Sequence, residues 1–300
     1  CRVTEIKPYA FYGCSVMSDI DFGEYLISIG DYAFYSNTKL ETLTIPDTVE
    51  YLGVESFGKD NKISSLTLGN GLKVIDDYAF YGCTHVTEIV IPDSVEVIGK
   101  YAFYNCKRAT DVTIGSGVKS IGDYAFYGNY KLRYLVIPEN VEEVGSYTFK
   151  GGDYLTSVVL PSSLTTLGQH VFFGAKITFY TDLDAIAGDW NKRWNSYYRF
   201  VVWGCELSED KSYVTSLTMS DATLTNIHAT GELAPPMRKG YTFVGWATTA
   251  DASTAEYAAN ELASVPVGTT LYAIWREGEP DFDEIPEPEE DPDDSGTLYI

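Results

Sequence analysis

The chain has 300 residues, 45% of them hydrophobic, and a formal net charge of −22. That length suffices for two domains and a sizeable core, while no run of about 18 apolar residues offers a membrane span and no stretch reads as a secretory leader. The acidic balance excludes nucleic acid as a partner, because phosphate is repelled by a surface of the same sign.

Taken in chain order, the dominant feature is a 23-residue period. Tyr-Ala-Phe stands at Tyr9–Phe11, Tyr32–Phe34, Tyr78–Phe80, Tyr101–Phe103 and Tyr124–Phe126, and the same frame holds Glu55-Ser56-Phe57, Tyr147-Thr148-Phe149 and His170-Val171-Phe172. Eight copies without a slip predict a solenoid. Val3, Ile6, Ala10 and Phe11 fall on the frame of Val49, Leu52, Ser56 and Phe57, so the chain opens in mid-repeat and an earlier segment is expected before it. Cys1 reads as the edge of a piece, since it runs straight into a coil, a lipidated mature cysteine being the alternative.

Within one coil, Val86, Ile89, Ile91, Val95, Ile98, Ala102, Phe103 and Cys106 are the inward positions. Alternation at Ile89 and Ile91 is the period of a strand. Pro92 stops it, because proline cannot donate to a continuing ladder. A second short apolar segment, Val95 to Ile98, leads to a turn at Gly99. No 23-residue unit buries eight such groups alone; coils stacked at roughly 4.8 Å share one core, about 40 Å long for eight coils. Cys14, Cys83 and Cys106 occupy one repeat position with Asn37 and Asn129, and are read as small buried ladder groups, not as a disulfide framework. Cys83 and Cys106 lie on adjacent coils, near enough to bridge in principle, but a bond would distort the stack.

The pattern Ile98-Gly99, Ala102-Phe103, Cys106, Val86, Ile89, Ile91-Pro92 and Val95, repeated coil after coil over about residues 1–175, resembles the BspA-like leucine-rich repeat family. The resemblance implies a bacterial surface protein that binds host proteins, matrix or other cells. After Phe173-Gly174 the frame slips, and Lys176 to Tyr180 reads as a last strand arriving early. Asp182 to Trp194 reads as a short helix with Asp182 as N-cap. The crowded Trp190, Trp194, Tyr197, Tyr198, Phe200 and Trp203 are expected to seal the open end of the core, an aromatic carbohydrate platform being the alternative.

Val201 to about Met219 reads as a strand-rich connection. Beyond it, Gly240-Tyr241-Thr242-Phe243-Val244-Gly245-Trp246 and Leu271-Tyr272-Ala273-Ile274-Trp275 alternate as half-buried strands do. These two runs resemble the Listeria–Bacteroides repeat, similar to the internalin B-repeat, which implies a small β-grasp-like module of surface stalks. From Glu277 onward eleven acidic residues and no Lys or Arg predict an extended, self-repelling, disordered tail. The expected organisation is therefore mainly β: a leucine-rich-repeat solenoid with an aromatic cap at 1–204, a small β module at 205–276 and an acidic Pro-rich tail at 277–300.

No catalytic or cofactor signature accompanies this scaffold. His85, His170 and His228 are dispersed, without metal-ligand spacing, and no nucleophile elbow, P-loop or dinucleotide fingerprint occurs. No enzyme activity, cofactor or metal is expected. Three surface rows are candidates. On the sheet face, Thr42, Thr44, Ser65, Thr67, Glu88, Asp111, Thr113 and Tyr134 alternate with inward residues and should point out; β-propensity alone would also place such residues there. A basic row, Lys39, Lys62, His85, Arg108 and Lys131, stacks like charges at sheet spacing, balanced by neighbouring acids or held ready for an anion. A tyrosine row, Tyr12, Tyr35, Tyr81, Tyr104 and Tyr127, follows the buried phenylalanines and should stabilise the edge by ring contact. The reading is a secreted or cell-surface bacterial adhesin, monomeric, binding a host or matrix protein or an anionic glycan. A structural stalk and a carbohydrate-capture module of a larger enzyme are the alternatives.

Overall fold

The computed structural model describes residues 2–174, 177–195, 199–225 and 232–280. The 23-residue period becomes a stack of coils. An edge sheet of eight two-residue parallel strands runs from Glu5–Ile6 to Thr166–Leu167, in registers such as Glu5↔Ser28 and Ser120↔Glu143. On the other side lies the face sheet. Its first two strands, Thr42–Thr44 and Ser65–Thr67, pair with one another, and a seven-stranded sheet begins again at Glu88–Val90. The face ladder is thus interrupted once, beside the half-buried Leu66.

The turn that carries Tyr-Ala-Phe explains how so short a coil closes. Its first residue adopts a left-handed conformation in every copy, Tyr9, Tyr32, Glu55, Tyr78, Tyr101, Tyr124, Tyr147 and His170 all lying between φ 50° and 60°. A second left-handed residue follows four positions later, for example Asn105 at φ 59° after Tyr101 at φ 57°. Such residues reverse the direction of successive N–H groups. Tyr101, Phe103 and Asn105 donate to Asp123, Ala125 and Tyr127 of the next coil at 3.0, 2.7 and 2.8 Å, while Tyr104 donates within its own coil to Tyr101 at 3.1 Å. The irregular turn is therefore bonded between coils as a strand would be, which pairs backbone groups that the turn itself could not. Left-handed tyrosine costs roughly 1 kcal/mol per residue, which the stacked neighbours offset.

Phe34, Phe57, Phe80, Phe103, Phe126 and Phe149 are fully buried and stack at 5.1 to 5.6 Å between ring centroids. Coils also touch backbone to backbone. A Cβ on Gly117 would lie 2.0 Å from the carbonyl oxygen of Asp93 in the preceding coil. Gly117→Ala should therefore push two coils apart and destabilise by about 1–3 kcal/mol; an unchanged denaturant midpoint would contradict this stacking.

The segment expected to be a helix, Asp182 to Trp194, is instead a ninth coil. Its N–H groups are taken by the previous coil: Asp189 donates to Thr165 at 2.7 Å and Asn191 to Leu167 at 2.8 Å. Gly188, at φ 56°, turns the chain where a helix would continue. Asp182 is not an N-cap; it pairs with Lys211 at 2.9 Å. Trp190 lands on the Leu167 rung and donates its indole N–H to Leu164 O at 2.9 Å. Trp190, Trp194 and Trp203 are buried in the solenoid core with Phe179, as a cap requires; Tyr197 and Tyr198 lie outside the described residues. The strand expected to be last, observed at Thr178–Thr181, pairs with Ser157–Leu160 in the register Ser157↔Thr178 and is followed by Val201–Val202 on its other side.

A four-stranded antiparallel sheet follows, in the order Cys205–Leu207, Val214–Thr218, Thr270–Glu277, Tyr241–Ala247, with a 3-10 helix at Ala259–Ser264. Trp246, Leu217, Val214 and Leu271 form its core together with Val159, Tyr180 and Val202 of the solenoid. The strand Leu224–Thr225 returns to pair antiparallel with Val201–Val202. The tail beyond Pro280 lies outside the described residues.

Candidate functional site

The face sheet presents its outward residues unequally. Thr42, Thr44, Ser65, Thr67, Glu88 and Thr113 are exposed, Asp111 and Tyr134 are half-buried, and Ser157 and Val159 are buried. The alternation is as the strand period demands; the gradient comes from the second unit lying across the later coils. Lys239 pairs with Asp111 at 3.0 Å. Tyr134 donates its hydroxyl to Glu279, and burial followed by that bond raises the phenol well above its ordinary range. Thr156 faces the Met237 sulfur at 3.1 Å, and Tyr180 donates to Ala234 O at 2.6 Å.

Where the two units meet they leave a cleft of about 330 Å³. One wall is the sheet face from Asp111 to Val159; the other is the loop Asp210–Tyr213 and the turn Met237–Tyr241. Asp210 accepts from the hydroxyls of Ser208 at 2.6 Å and Ser212 at 2.7 Å, and these bonds hold its carboxyl below the usual range. Of these second-wall residues the sequence marked only Gly240 and Tyr241, as the start of a strand run and not as site residues, because their importance here comes from docking onto a strand about 100 positions earlier.

The basic row is where its spacing put it. Lys39, Lys62, Arg108 and Lys131 are exposed and His85 is half-buried, with its Nδ1 3.2 Å from the Thr84 hydroxyl. Among the described residues, Lys39, Lys62 and Arg108 have no ion pair. These three therefore make no direct contact with a neighbouring acid among the described residues. The row precedes the strands of the face sheet by three residues in each coil, so it borders the open face.

The tyrosine edge is a double lattice. Tyr12 and Tyr35 stack at 5.1 Å and Tyr104 and Tyr127 at 4.9 Å, and beside them the left-handed residues form a second ladder, with Tyr78–Tyr101 at 4.6 Å and Tyr101–Tyr124 at 4.8 Å. Burial raises the phenols of Tyr78, Tyr101 and Tyr124. The third coil breaks both ladders: Glu55 replaces one tyrosine, accepting from Tyr32 at 3.2 Å, and Gly58 replaces the other. Lys59 fills the second gap, with its ammonium 5.8 Å from the Tyr35 ring and 6.0 Å from that of Tyr81. Ring faces in the ladders are turned to one another, so what reaches solvent is largely edges and hydroxyls. That arrangement suits stiffening the array better than stacking a sugar.

Inside the core, the shared cysteine and asparagine position donates to carbonyl oxygen at Asn37, Cys83 and Cys106, while the Asn129 amide nitrogen has no partner among the described residues. Cys83 and Cys106 are buried free thiols that donate to Phe57 O and Phe80 O, and burial pushes Cys106 up to about 12. Among the described residues no cluster of His, Cys, Asp or Glu has the geometry of a metal site, and no helix is long and apolar enough to cross a membrane.

Residues 2–85 and 73–186 match the family model described as BspA type leucine rich repeat region, in six copies. Residues 210–274 match the Listeria-Bacteroides repeat domain. Among solved structures, a leucine-rich repeat protein from Bacteroides ovatus is 27% identical at a TM-score of 0.53, covering 67% of this chain and 59% of its own. The leucine rich repeat protein of T. pallidum is 27% identical at a TM-score of 0.48, covering 59% and 78% respectively. A leucine rich cell surface protein from Faecalibacterium prausnitzii is 17% identical at a TM-score of 0.36, covering 59% and 64%. The chain thus spans about three fifths of the length of the Bacteroides ovatus structure, 59%. No curated protein matches it.

Proposed function

Because the chain belongs to the BspA-type leucine-rich-repeat family and carries a Listeria–Bacteroides repeat, we propose that it is a secreted or surface-displayed bacterial binding protein. It engages a host or matrix protein, or an anionic glycan, through the open half of its face sheet and the basic row beside it. The observation that supports this reading is the company these residues keep. Thr42, Thr44, Ser65, Thr67 and Glu88 stand exposed on successive coils, and Lys39, Lys62 and Arg108 run alongside with no ion pair among the described residues. A polar strip flanked by cations that make no ion pair among the described residues offers many weak, equivalent contacts, so affinity comes from repetition along the array and not from one deep pocket. The scaffold is a non-enzymatic repeat, and adhesion needs no covalent step.

The test is binding of the full chain to a panel of matrix proteins and anionic glycans, beside two variants. One carries Lys39→Glu, Lys62→Glu, Arg108→Glu and Lys131→Glu; the other carries Thr44→Arg and Thr67→Arg. A partner whose salt-sensitive binding is lost in the first variant uses the basic row. A partner lost only in the second uses the strands. A chain that binds nothing on the panel, or binds equally in both variants while melting normally, is a stalk, and the proposal fails.

A further inference from the structure

The cleft between the two units holds a cation, Arg238, that has no ion pair among the described residues. The turn Arg238–Tyr241 is closed by Tyr241 N–H donating to Arg238 O at 3.1 Å, with Gly240 at φ 80° supplying the left-handed corner. This turn folds the Arg238 side chain back over its own ring partner: the guanidinium carbon is 3.7 Å from the Tyr241 ring centroid and 4.2 Å from that of Tyr213 on the neighbouring loop. Two aromatic contacts fix a flat, permanently charged group. Among the described residues the guanidinium has no ion pair and no hydrogen-bond acceptor. Its N–H fork is therefore preorganised and unspent at the wall of a cleft of about 330 Å³.

A second observation says what kind of group this wall accepts. Glu279, two residues beyond the end of the last strand, seats its carboxylate between the two units. One oxygen takes the Gly240 N–H at 3.0 Å and the other takes the Tyr134 hydroxyl. The same turn that displays Arg238 thus already holds a side-chain carboxylate of a polypeptide segment. Lys239, between Arg238 and Gly240, likewise holds Asp111 at 3.0 Å. Three consecutive residues of one turn present donors, and two of the three are filled by acids.

We propose that the third, Arg238, is a receptor for a side-chain carboxylate of an acidic polypeptide segment laid into the cleft. The planar fork matches a carboxylate bidentately, and the clasp leaves little rotamer entropy to lose on binding. This deepens the reading of the chain as a binding protein and rests on it only to that extent, since the cleft is separate from the open strip and the basic row.

The experiment uses the full chain and an N-acetylated, C-amidated tetraglutamate peptide, titrated calorimetrically at low salt, with tetraglutamine and N-acetylneuraminic acid as the other arms. Tetraglutamate should bind, and tetraglutamine should bind at least about tenfold more weakly. Arg238→Gln should weaken tetraglutamate by about tenfold or more, and Arg238→Lys should not restore it, because an ammonium lacks the fork. Tyr213→Leu, which keeps an apolar wall and removes one ring, should give an intermediate loss. Thr44→Arg with Thr67→Arg should leave peptide binding unchanged, so loss of a panel partner in that variant reports on the open strip alone. Equal binding by wild type and Arg238→Gln overturns the proposal. So does binding of the sugar acid in place of the peptide, or no binding of the peptide at all.

Discussion

Replacing Asp60 with Asn should stabilise the solenoid at neutral and alkaline pH, by about 5 kcal/mol at the upper end, and leave it unchanged near pH 3. Asp60 is fully buried in the repeat position that Asn37, Cys83, Cys106 and Asn129 fill elsewhere. One oxygen accepts from Asn37 N–H at 2.5 Å, as Asn129 Oδ1 accepts from Cys106 N–H at 3.0 Å. The other oxygen is buried without a partner. On other coils the side chain at this position donates to carbonyl oxygen: the Asn37 amide to Phe34 O at 2.6 Å and Phe11 O at 3.2 Å, and the Cys83 and Cys106 thiols to Phe57 O and Phe80 O. The position calls for a donor, which a carboxylate supplies only when protonated.

Burial accordingly raises Asp60 from 3.8 to about 8, against the opposing bond from Asn37. The sign follows from comparing the two states. Below about pH 4 both folded and unfolded chains are protonated at this group and the substitution is neutral. Between about 4 and 8 the unfolded chain ionises while the folded one keeps its proton, so stability falls as pH rises, by about 1.4 kcal/mol per unit. Above 8 the loss is complete. Asparagine supplies the donor at every pH. Thermal midpoints of wild type and Asp60→Asn across pH 3 to 9 should diverge upward from pH 4; parallel curves would refute the protonated carboxyl.

Phe103→Ala should cost about 3–5 kcal/mol, and Phe11→Ala about 1. Phe103 is 0% exposed and ringed on both sides, 5.1 Å from Phe80 and 5.3 Å from Phe126. Truncation removes two stacking contacts and opens a cavity that fixed backbone rungs above and below cannot close. Phe11 is 39% exposed and stacks on Phe34 alone at 5.1 Å, so solvent already shares its site. Denaturant titration of the two variants measures the contrast. Equal losses would mean that the array unfolds from its middle as readily as from its end.

The array was legible in the sequence because its signal is repetition. Inward Ile89 and Ile91, the stop at Pro92 and the phenylalanine every 23 residues each state a local rule, and the coils obey all of them together. The left-handed tyrosines were not legible. That conformation is the habit of glycine and asparagine, and nothing in hydrophobic patterning marks a tyrosine forced into it by inter-coil bonds. The misread segment at Asp182–Trp194 shows tertiary context overriding a local cue. Asp182 looked like an N-cap, yet Trp190 stands on the rung after Leu167 and takes its carbonyl partner from the coil below. The outward residues of the face sheet were readable from alternation, including Thr42, Thr44, Ser65 and Thr67. Their unequal cover was not, because the Tyr134–Glu279 and Asp111–Lys239 contacts join positions more than 120 residues apart, across which no periodicity carries information. Arg238 was invisible for the same reason.

The cover over the later coils turns the solenoid into a ruler with a fixed zero. The Asp111–Lys239 pair is the mark at which the second unit begins, and from it Glu88, Ser65 and Thr42 fall on successive coils, roughly 4.8 Å apart where their strands pair, with one unpaired step between Glu88 and Ser65. Distance along the face is counted from that mark in whole coils and cannot vary continuously. A partner that touches both the mark and Thr42 therefore reads a length, about 14 Å, as well as a chemistry. Adding or deleting a single coil between them would change that length by one graduation while leaving each rung's side chains as they are. In such a protein, selectivity can be altered by counting, without altering a contact.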